Sequence, residues 1–341
     1  MNFIQQIVDG KDLSIQEAEN LLEEIFSRSS DAQIGALLIG LRMKGESVSE
    51  IAGLARTMRA SAIRISPLVE GLLVDTCGTG GDAANTINVS TAAALVTASC
   101  GVPVAKHGNY AVSSDCGSAN VLFELGVNVA LEPDQVKETI ETLGIGFMLA
   151  PRFHPAMKRV ALLRREIKTR TVFNLLGPLT NPAGANAQVI GVYDPALCEK
   201  LAMVLNILKT ERAMVVHGSG LDEITNTGET LVSELDHGIV QTYTLEPEDF
   251  GYPLVTLDDI KGGSPEDNAR ELVRILKGAQ TPGRDIVAMN SAAALYVSGR
   301  VDSLREGARM AEESLDSGRA LETLESLVNA GGDPDKLRRF L

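Results

Sequence analysis

The sequence predicts an α/β fold in which a small helical N-terminal domain precedes a larger, doubly wound domain with a mainly parallel sheet. Residues 1–68 carry helix signals and no strand-like run. After Leu72, short apolar runs typical of strands alternate with helical patterns, as in parallel sheets covered by helices on both faces. The length of 341 residues agrees with about two domains. We therefore expect domains at 1–68 and 69–341, with a helical segment near 160–185 packing on the first.

The N-terminal helices are predicted from the residues that begin and end them. A hydroxyl residue followed three positions later by Glu or Gln forms a capping box, which satisfies free N–H groups of a first helical turn. Three such boxes occur, at Ser14 with Glu17, Ser30 with Gln33, and Ser47 with Glu50. Gly45 is a plausible helix end.

The larger domain is predicted from its alternating segments. We expect strands at 72–76, 102–105, 127–131, 188–193 and 213–216, and helices at 90–100, 133–143 and 195–208. A hairpin is expected at 230–243, around the turn Asp236-His237-Gly238. A further helix opens at Ser264-Pro265, and the last part of the chain is helical again. In such a fold, ligands bind outside the carboxyl ends of the strands.

Composition excludes several classes of protein. The 31 basic and 45 acidic residues give a net charge of −14, which is unfavourable for general binding to nucleic acid or membrane surfaces. No apolar run reaches the ~18 residues that span a bilayer, and the first ten residues lack the features of a secretory signal. The four cysteines form no C-x-x-C pair. We expect a cytoplasmic protein with reduced thiols.

The first candidate site is the glycine-rich segment 77–82 (CGTGGD), which follows the first predicted strand. Its three glycines allow a tight turn whose N–H groups can bind an anion. Residues 88–91 (NVST) then open a helix, whose N-terminus adds partial positive charge. Strand, glycine loop, acid and helix start together predict a phosphate-binding loop.

Two familiar nucleotide motifs do not fit this loop. Gly78, Gly80 and Ala83 match a permissive G-x-G-x-x-A pattern, which also requires an acidic residue about 20 positions later for the ribose. Residues 83–114 contain neither Asp nor Glu, which disfavours NAD. The pattern G-x-x-x-x-G-K-[ST] is absent, which disfavours a P-loop NTPase.

The second candidate is segment 106–114 (KHGNYAVSS), which follows the second predicted strand. Lys106 provides a cation, Asn109 an amide, and Ser113 and Ser114 two hydroxyls. Residues 117–118 (GS) then lead into another helix. A polar loop at the end of a strand favours a ligand-binding role.

The third candidate is the acidic pair Asp222 and Glu223, four residues beyond Gly218. Mg²⁺ is commonly held by one or two carboxylates together with substrate phosphates. Between residues 76 and 120 the only permanent cation is Lys106, which cannot neutralise a polyphosphate alone. Main-chain N–H groups and Mg²⁺ must therefore supply the remaining positive charge.

The remaining candidates are weaker. The helix at 155–166 carries a basic face that is more typical of solvent contact than of a site: Lys158, Arg159, Arg164 and Arg165. Segment 174–181 (NLLGPLTN) is expected to form a Gly/Pro turn between the domains. His154 and His217 are expected to be structural, and His237 is expected to be exposed in a hairpin turn. No Ser/His/Asp or Cys/His set indicates a covalent nucleophile, and no general base is identified.

Taken together, these motifs resemble the anthranilate phosphoribosyltransferase family over nearly the whole chain. The matching segments are 78–82, 88–91, 106–109, 117–118, 146–157, 174–181 and 222–223. The resemblance implies a fold like those of nucleoside phosphorylases and phosphoribosyltransferases, with a homodimer formed through the helical part. It also implies transfer of the phosphoribosyl group of 5-phosphoribosyl 1-diphosphate to anthranilate in tryptophan biosynthesis.

The resemblance also implies roles for individual residues. The sugar diphosphate would be held by Gly78, Gly81, Asp82, Thr86, Asn88, Val89, Ser90, Thr91, Lys106, His107, Gly108, Asn109, Tyr110, Ala111, Val112, Ser113, Ser114 and Ser118. Anthranilate would contact Gly78, Asn109 and Arg164, and Mg²⁺ would be held by Ser90, Asp222 and Glu223.

Two other readings remain open at this point. A nucleoside phosphorylase would share the architecture and the phosphate loop, but it would use free phosphate and need no metal-binding pair. A non-catalytic relative that binds nucleic acid is disfavoured by the net charge and by the intact acidic pair.

The chain departs from the family pattern at two positions. Tyr110 stands where an Arg usually follows Lys-His-Gly-Asn, and Asp115 stands where a basic or small residue is common. Both changes remove positive charge from a loop expected to meet diphosphate. A charge-assisted hydrogen bond contributes roughly 1.5–3 kcal/mol, or about one to two decades of affinity. We therefore expect Tyr110→Arg to lower the KM for 5-phosphoribosyl diphosphate in steady-state assays. An unchanged or higher KM would contradict this expectation.

Overall fold

The computed structural model describes residues 3–82, 84–111 and 115–341, which form a group of helices followed by a sheet enclosed by further helices. The α-helices are α1 (Phe3–Val8), α2 (Ile15–Ser27), α3 (Asp31–Lys44), α4 (Val48–Ala60), α5 (Val89–Ser99), α6 (Ser118–Glu124), α7 (Pro133–Leu143), α8 (Ala150–Phe153), α9 (Lys158–Ile167), α10 (Phe173–Leu179), α11 (Leu197–Ile207), α12 (Pro247–Phe250), α13 (Pro265–Leu276), α14 (Pro282–Val297), α15 (Leu304–Asp316), α16 (Arg319–Asn329) and α17 (Pro334–Arg338). Short 3-10 turns span Pro155–Met157 and Leu257–Ile260. Among these helices none combines the length and apolarity needed to cross a bilayer.

The sheet confirms the predicted fold class. Its strands are β1 (Val74–Gly78), β2 (Val104–Gly108), β3 (Ile145–Leu149), β4 (Ala187–Gly191), β5 (Arg212–Gly218), β6 (Thr230–Asp236) and β7 (Ile239–Leu245). They lie in the order β3-β2-β1-β4-β5-β6-β7. The first five are mutually parallel, and the β6–β7 hairpin adds antiparallel strands at one edge. The strand order reverses between β1 and β4, which creates a crevice at their carboxyl ends.

The two largest hydrophobic cores of the described residues lie on opposite faces of the sheet. Along β4, Val189 enters one core and Ile190 enters the other, because successive side chains of a strand point to opposite faces. The first core contains buried residues of α5, α13, α14, α15 and α16. The second joins α1–α4 to α10 and α11. The N-terminal helices therefore share a core with helices that cover the sheet.

The helix signals read from the sequence are confirmed where they were strongest. All three capping boxes are present, at the starts of α2, α3 and α4. Gly45 ends α3 with a φ of 85°, a conformation that favours glycine. The predicted hairpin is also present, with Asp236 paired to Ile239 across a two-residue turn.

The predicted strand at 127–131 is wrong. Val127, Val129 and Leu131 are buried alternately, which imitates a strand, but this segment is an irregular connection between α6 and α7. The N–H of Val127 bonds the carbonyl of Leu122, and Ala130 N–H bonds Asn128 Oδ1 at 3.1 Å, so local acceptors replace a strand partner. The third strand is instead β3, a fully buried segment directly after Gly144, where α7 ends.

The predicted turn at 174–181 is wrong as well, because most of it lies in α10. Pro178 falls in the last turn of this short helix and removes at most one helical hydrogen bond. Thr180 closes the helix end, where its hydroxyl donates to the carbonyl of Leu176 at 2.8 Å. Gly and Pro therefore mark the end of a helix here.

Strand boundaries also differ from the prediction in a way that matters for function. β1 and β2 each begin two residues later than expected, and they extend to Gly78 and Gly108. Before β1, the N–H of Leu73 bonds the Asn186 side chain at 2.8 Å and the ladder has not yet started. Lys106 and His107 therefore belong to the rigid sheet and not to the loop that follows it.

We expect the capping box of α4 to contribute more to the stability of the protein than that of α2. Glu50 is fully buried and accepts hydrogen bonds from Ser47 N–H at 2.8 Å, Leu13 N–H at 3.0 Å and Lys44 Nζ at 2.9 Å. Glu17 occupies the same position of the α2 box. Removing one member of a buried ion pair leaves its partner uncompensated, whereas losing a cap costs less.

We expect Glu50→Ala to lower the free energy of unfolding by about 3–5 kcal/mol. The matched Glu17→Ala should lower it clearly less, because Glu17 remains in contact with solvent. Denaturant titration of both variants measures the difference. Equal losses of unfolding free energy in the two variants would show that the burial of Glu50 adds nothing to stability beyond its capping role.

Candidate active site

The strand-order reversal places two glycines side by side. Gly78 and Gly191 end β1 and β4, and they are paired in register. The loop after β5 lies directly on them, so that a methyl group at Gly78 would overlap the Asp222 carboxylate. At Gly191 it would overlap the main-chain oxygen of Asp222. Glycine at both positions is what allows Asp222 to reach the crevice.

The acidic pair meets the glycine loop and the start of α5. Asp222 Oδ2 accepts a hydrogen bond from Gly80 N–H at 2.7 Å, and Glu223 Oε1 accepts one from Ser90 N–H at 3.2 Å. Segments separated by more than 130 residues therefore come together as the sequence predicted. Two of the N–H groups expected to bind an anion therefore donate to the chain's own carboxylates.

The carboxylates are poorly solvated and repel one another. Burial, with the neighbouring charge of Asp82, raises the pKa of Asp222 to about 7. Burial and the charge of Asp222 hold the pKa of Glu223 well above its usual range, against the opposing effect of Lys106. Adjacent, half-buried carboxylates favour a bound cation, which would stabilise their ionised forms.

The donor set fits Mg²⁺ better than a metal that needs many protein ligands. In the described ranges, no group of three or more His, Cys, Asp or Glu side chains is arranged to hold a metal ion. Mg²⁺ retains several waters and commonly uses only one or two carboxylates together with substrate phosphates. Asp222 and Glu223, with the neighbouring hydroxyl of Ser90, meet that requirement.

Lys106 points from β2 towards the same crevice. Its Nζ donates to the Thr76 carbonyl at 2.6 Å and to Ser90 Oγ at 3.4 Å, and the side chain is buried. Burial lowers the pKa of Lys106, while the charge of Asp75 opposes that shift. The lysine therefore places a positive group beside the start of α5.

Sequence reasoning missed the buried group beneath Lys106. Asp75 on β1 accepts hydrogen bonds from His107 N–H at 3.1 Å and Asn181 Nδ2 at 2.8 Å. Burial raises the pKa of Asp75, and the charge of Lys106 lowers it in part. Asn181 also donates to the Ala105 carbonyl, which connects the end of α10 to β1 and β2. No local pattern in the sequence indicates this contact, because it joins residues 106 positions apart.

His107 is an uncharged strand residue. Burial, with the nearby His154, lowers its pKa to about 3, and its Nδ1 lies 3.2 Å from the Gly177 carbonyl. The two imidazole centroids are 5.1 Å apart. Burial also lowers the pKa of His154 to about 4. Neither ring supplies a cation to bind phosphate.

The loop after β2 is held by side-chain hydrogen bonds to its main chain. Gly108 has no room for a side chain beside Ser118 Oγ and Phe147. The Asn109 side chain accepts the N–H of Tyr110 at 2.8 Å, and the Asn109 carbonyl accepts Ser118 Oγ at 3.3 Å. Ala111 follows, with its N–H bonded to Asn120 Oδ1. Val112, Ser113 and Ser114, like Ala83 of the glycine segment, lie outside the described residues.

The start of α5 is fixed by side-chain amides. Asn88 donates to the Cys116 carbonyl at 3.1 Å and accepts from Asn268 at 2.9 Å. The Thr91 hydroxyl is buried without a partner among the described residues, and Val89 is buried in the core. Before the helix, Thr86 pairs with Lys261 in an isolated antiparallel β-bridge. The Asp82 carboxylate accepts a hydrogen bond from the N–H of Ala84.

The basic helix α9 places Arg164 against α10 and Arg159 at the surface. Arg164 is half-buried with its guanidinium 5.6 Å from the Phe173 ring centroid, and burial lowers its pKa. No hydrogen bond within the described ranges joins Arg164 to Asn109 or Gly78. Arg159 pairs with Asp31 at 2.7 Å on the surface. His237 is exposed, as predicted.

The structure adds an arginine that the sequence did not single out. Arg170 lies between α9 and α10 and donates to the carbonyl of Gly81. Nothing in its local sequence indicates that contact, because it depends on how the α9–α10 connection crosses the glycine loop.

Comparison with known families covers both parts of the chain. Residues 1–62 match the helical bundle domain of a glycosyl transferase family, and residues 70–321 match the a/b domain of the same family.

Several relatives of this chain are named anthranilate phosphoribosyltransferase. The anthranilate phosphoribosyltransferase of Methanosarcina barkeri is 57% identical over 94% of this chain and 87% of its own length. That of Haloarcula marismortui is 53% identical over 96% of this chain and 99% of its own length.

Solved structures agree with the sequence relatives. Anthranilate phosphoribosyltransferase from Thermus thermophilus superposes with a TM-score of 0.92 at 44% identity, covering 97% of this chain and 99% of that one. The Saccharomyces cerevisiae enzyme in complex with PRPP and Mg gives a TM-score of 0.87 at 28% identity, covering 96% of each chain. With both of its domains matched and close relatives over nearly its full length, this chain belongs to the anthranilate phosphoribosyltransferase family.

Proposed function

We propose that this protein transfers the phosphoribosyl group of 5-phosphoribosyl 1-diphosphate (PRPP) to anthranilate, giving N-(5-phosphoribosyl)anthranilate and diphosphate. The main support within the molecule is the meeting of Asp222 and Glu223 with the glycine loop and the start of α5. A sugar diphosphate needs anion donors and a metal-binding pair in one place, and the crevice between β1 and β4 provides both. The family membership supports the choice of substrates.

Mg²⁺ is the proposed cofactor. Ser90, Asp222 and Glu223 would hold it, and the half-buried, closely spaced carboxylates would supply the negative charge that such an ion requires. When bound, the ion would stabilise negative charge on the diphosphate leaving group.

The protein's own residues would bind and orient the two substrates. The C1–O bond breaks with its electron pair leaving on diphosphate, and the anthranilate nitrogen lone pair forms the new C1–N bond. A proton then leaves that nitrogen for solvent or diphosphate. Anthranilate is nucleophilic without prior deprotonation, so no general base is required. The loop N–H groups, Lys106 and the α5 N-terminus would stabilise the leaving group, and alignment of the amine with C1 would supply much of the remaining rate enhancement.

We propose further that the amine substrate binds near the ends of β1 and β2. Asn109 and Gly78 line that region, and the guanidinium of Arg164 would attract the anthranilate carboxylate. In support, Arg164 forms no ion pair within the described part of the chain and stacks on Phe173 of α10. The residues implied by the family to hold PRPP remain part of this proposal.

The assembly and cellular location are also proposals. We propose a homodimer formed through the helical part, because large apolar side chains there remain exposed: Val8 at 71%, Met43 at 83% and Leu162 at 60%. The domain division at 1–68 and 69–341 is kept as part of this proposal. Four unpaired cysteine thiols support a reducing, cytoplasmic location, and a place in tryptophan biosynthesis follows from the proposed reaction.

Removing the charge of the acidic pair tests the metal assignment. We expect Asp222→Asn combined with Glu223→Gln to lower Mg²⁺-dependent kcat by roughly 10²–10³-fold while the protein stays folded. Loss of anthranilate fluorescence in the presence of PRPP and Mg²⁺ follows the reaction. Glu248→Gln with Asp258→Asn is the matched control, since both residues are exposed and the charge change is the same. Near-normal turnover of the site variant would refute the assignment.

A second experiment tests the close approach at the strand ends. The methyl group of Gly191→Ala would meet main-chain atoms of Asp222, which cannot rotate away. We expect a loss of about 1–3 kcal/mol in the free energy of unfolding together with weaker Mg²⁺-dependent turnover. Gly35→Ala is the control, because its methyl group meets nothing within 4 Å in helix α3 and should stabilise the protein slightly. Unchanged turnover in Gly191→Ala would show that Asp222 need not lie against β4.

A further inference from the structure

Arg170 connects three segments around the glycine loop. Its Nη2 donates to the Gly81 carbonyl, and its Cζ lies 4.0 Å from the centroid of the Tyr193 ring. The main-chain N–H of Tyr193 in turn donates to Thr79 Oγ1 at 3.2 Å. One half-buried guanidinium therefore touches both the glycine loop and the segment that follows β4.

The positive charge of Arg170 is not paired with a carboxylate in the described part of the fold. Across the residues that the structure describes, no carboxylate lies within ion-pair distance of its guanidinium, whereas Arg159 pairs with Asp31 and Arg212 with Asp236. An arginine that stacks on an aromatic ring while it lacks a carboxylate keeps its positive charge available to an external anion.

The contact with Gly81 also fixes the direction of a peptide group. Gly80 and Gly81 have φ values of 66° and 84°, a conformation in which glycine meets little steric resistance. In a trans peptide, the carbonyl of one residue and the N–H of the next point in opposite directions. By holding the Gly81 carbonyl, Arg170 turns the N–H of Asp82 away from itself. Neither the Gly81 nor the Asp82 N–H has an acceptor among the described residues.

We propose that Arg170 is a positioning residue for the diphosphate of PRPP, an inference that rests on the proposed function. It orients the Gly81–Asp82 peptide so that the free N–H of Asp82 faces the anion, and it adds a second positive charge to that of Lys106. Sequence counting found a single cation in this region because Arg170 lies about 90 residues further along the chain than Gly81. The Tyr193 ring holds the guanidinium in place without neutralising it.

Calorimetry and kinetics on four proteins test this role: the wild type, Arg170→Ala, Arg170→Lys and the control Arg309→Ala. Arg309 is exposed on α15 and gives the same change in net charge. We expect Arg170→Ala to raise the Kd and KM for PRPP in the presence of Mg²⁺ by about tenfold or more. The KM for anthranilate should change less than about twofold and the Tm should stay within about 2 °C. Arg170→Lys should keep part of the affinity, and added methylguanidinium should restore PRPP binding to Arg170→Ala alone.

Two results would overturn the proposal. One is a PRPP Kd in Arg170→Ala equal to that of the wild type. The other is an equal loss of affinity for both substrates with a lower Tm and no rescue, as expected for a residue that only supports the fold. A wild type that binds PRPP but does not consume anthranilate would instead contradict the proposed function, and calorimetry would still decide the role of Arg170.

Discussion

The close packing of Asp222 against paired glycines at the ends of β1 and β4 is the constraint on which the site depends. Because Gly78 and Gly191 carry no side chains, the loop after β5 can lie across the point where the strand order reverses. That placement brings Glu223 to Ser90 and Asp222 to Gly80. A larger residue at either glycine would push the acidic pair away from the glycine loop.

Few positively charged side chains reach this crevice. The half-buried carboxylates of Asp222 and Glu223 accept hydrogen bonds from main-chain N–H groups, and their raised pKa values reflect poor solvation and repulsion by neighbouring carboxylates. Lys106 is the only cation that the described strands themselves carry into the region, and its Nζ is bound to Thr76 and Ser90. A site of this kind favours a ligand that arrives with both negative charge and a divalent cation. Stabilisation by fixed dipoles and a metal ion is also the more effective arrangement for a leaving group whose charge develops during the reaction.

The predictions were wrong where the local sequence pattern and the tertiary environment favour different structures. Val127, Val129 and Leu131 alternate as strand residues do, yet N–H groups of this segment find local acceptors and no strand forms. The segment 174–181 contains Gly and Pro, but packing against the second core keeps most of it helical. Strand ends also depend on pairing partners, so Lys106 proved to be a sheet residue. By contrast, capping boxes are complete within four residues, and all three were predicted correctly.

The sequence alone determined the fold class, the helix starts, the glycine loop and the acidic pair, because each is encoded by neighbouring residues whose chemistry is local. It also determined, through the ordered set of motifs, the family to which the chain belongs. Only the tertiary structure decided that Asp75 and Asn181 support β2 from beneath, and that Arg170 reaches Gly81. These contacts join residues about 90 to 106 positions apart. Their existence depends on how helices pack across a sheet, and no local pattern records that geometry.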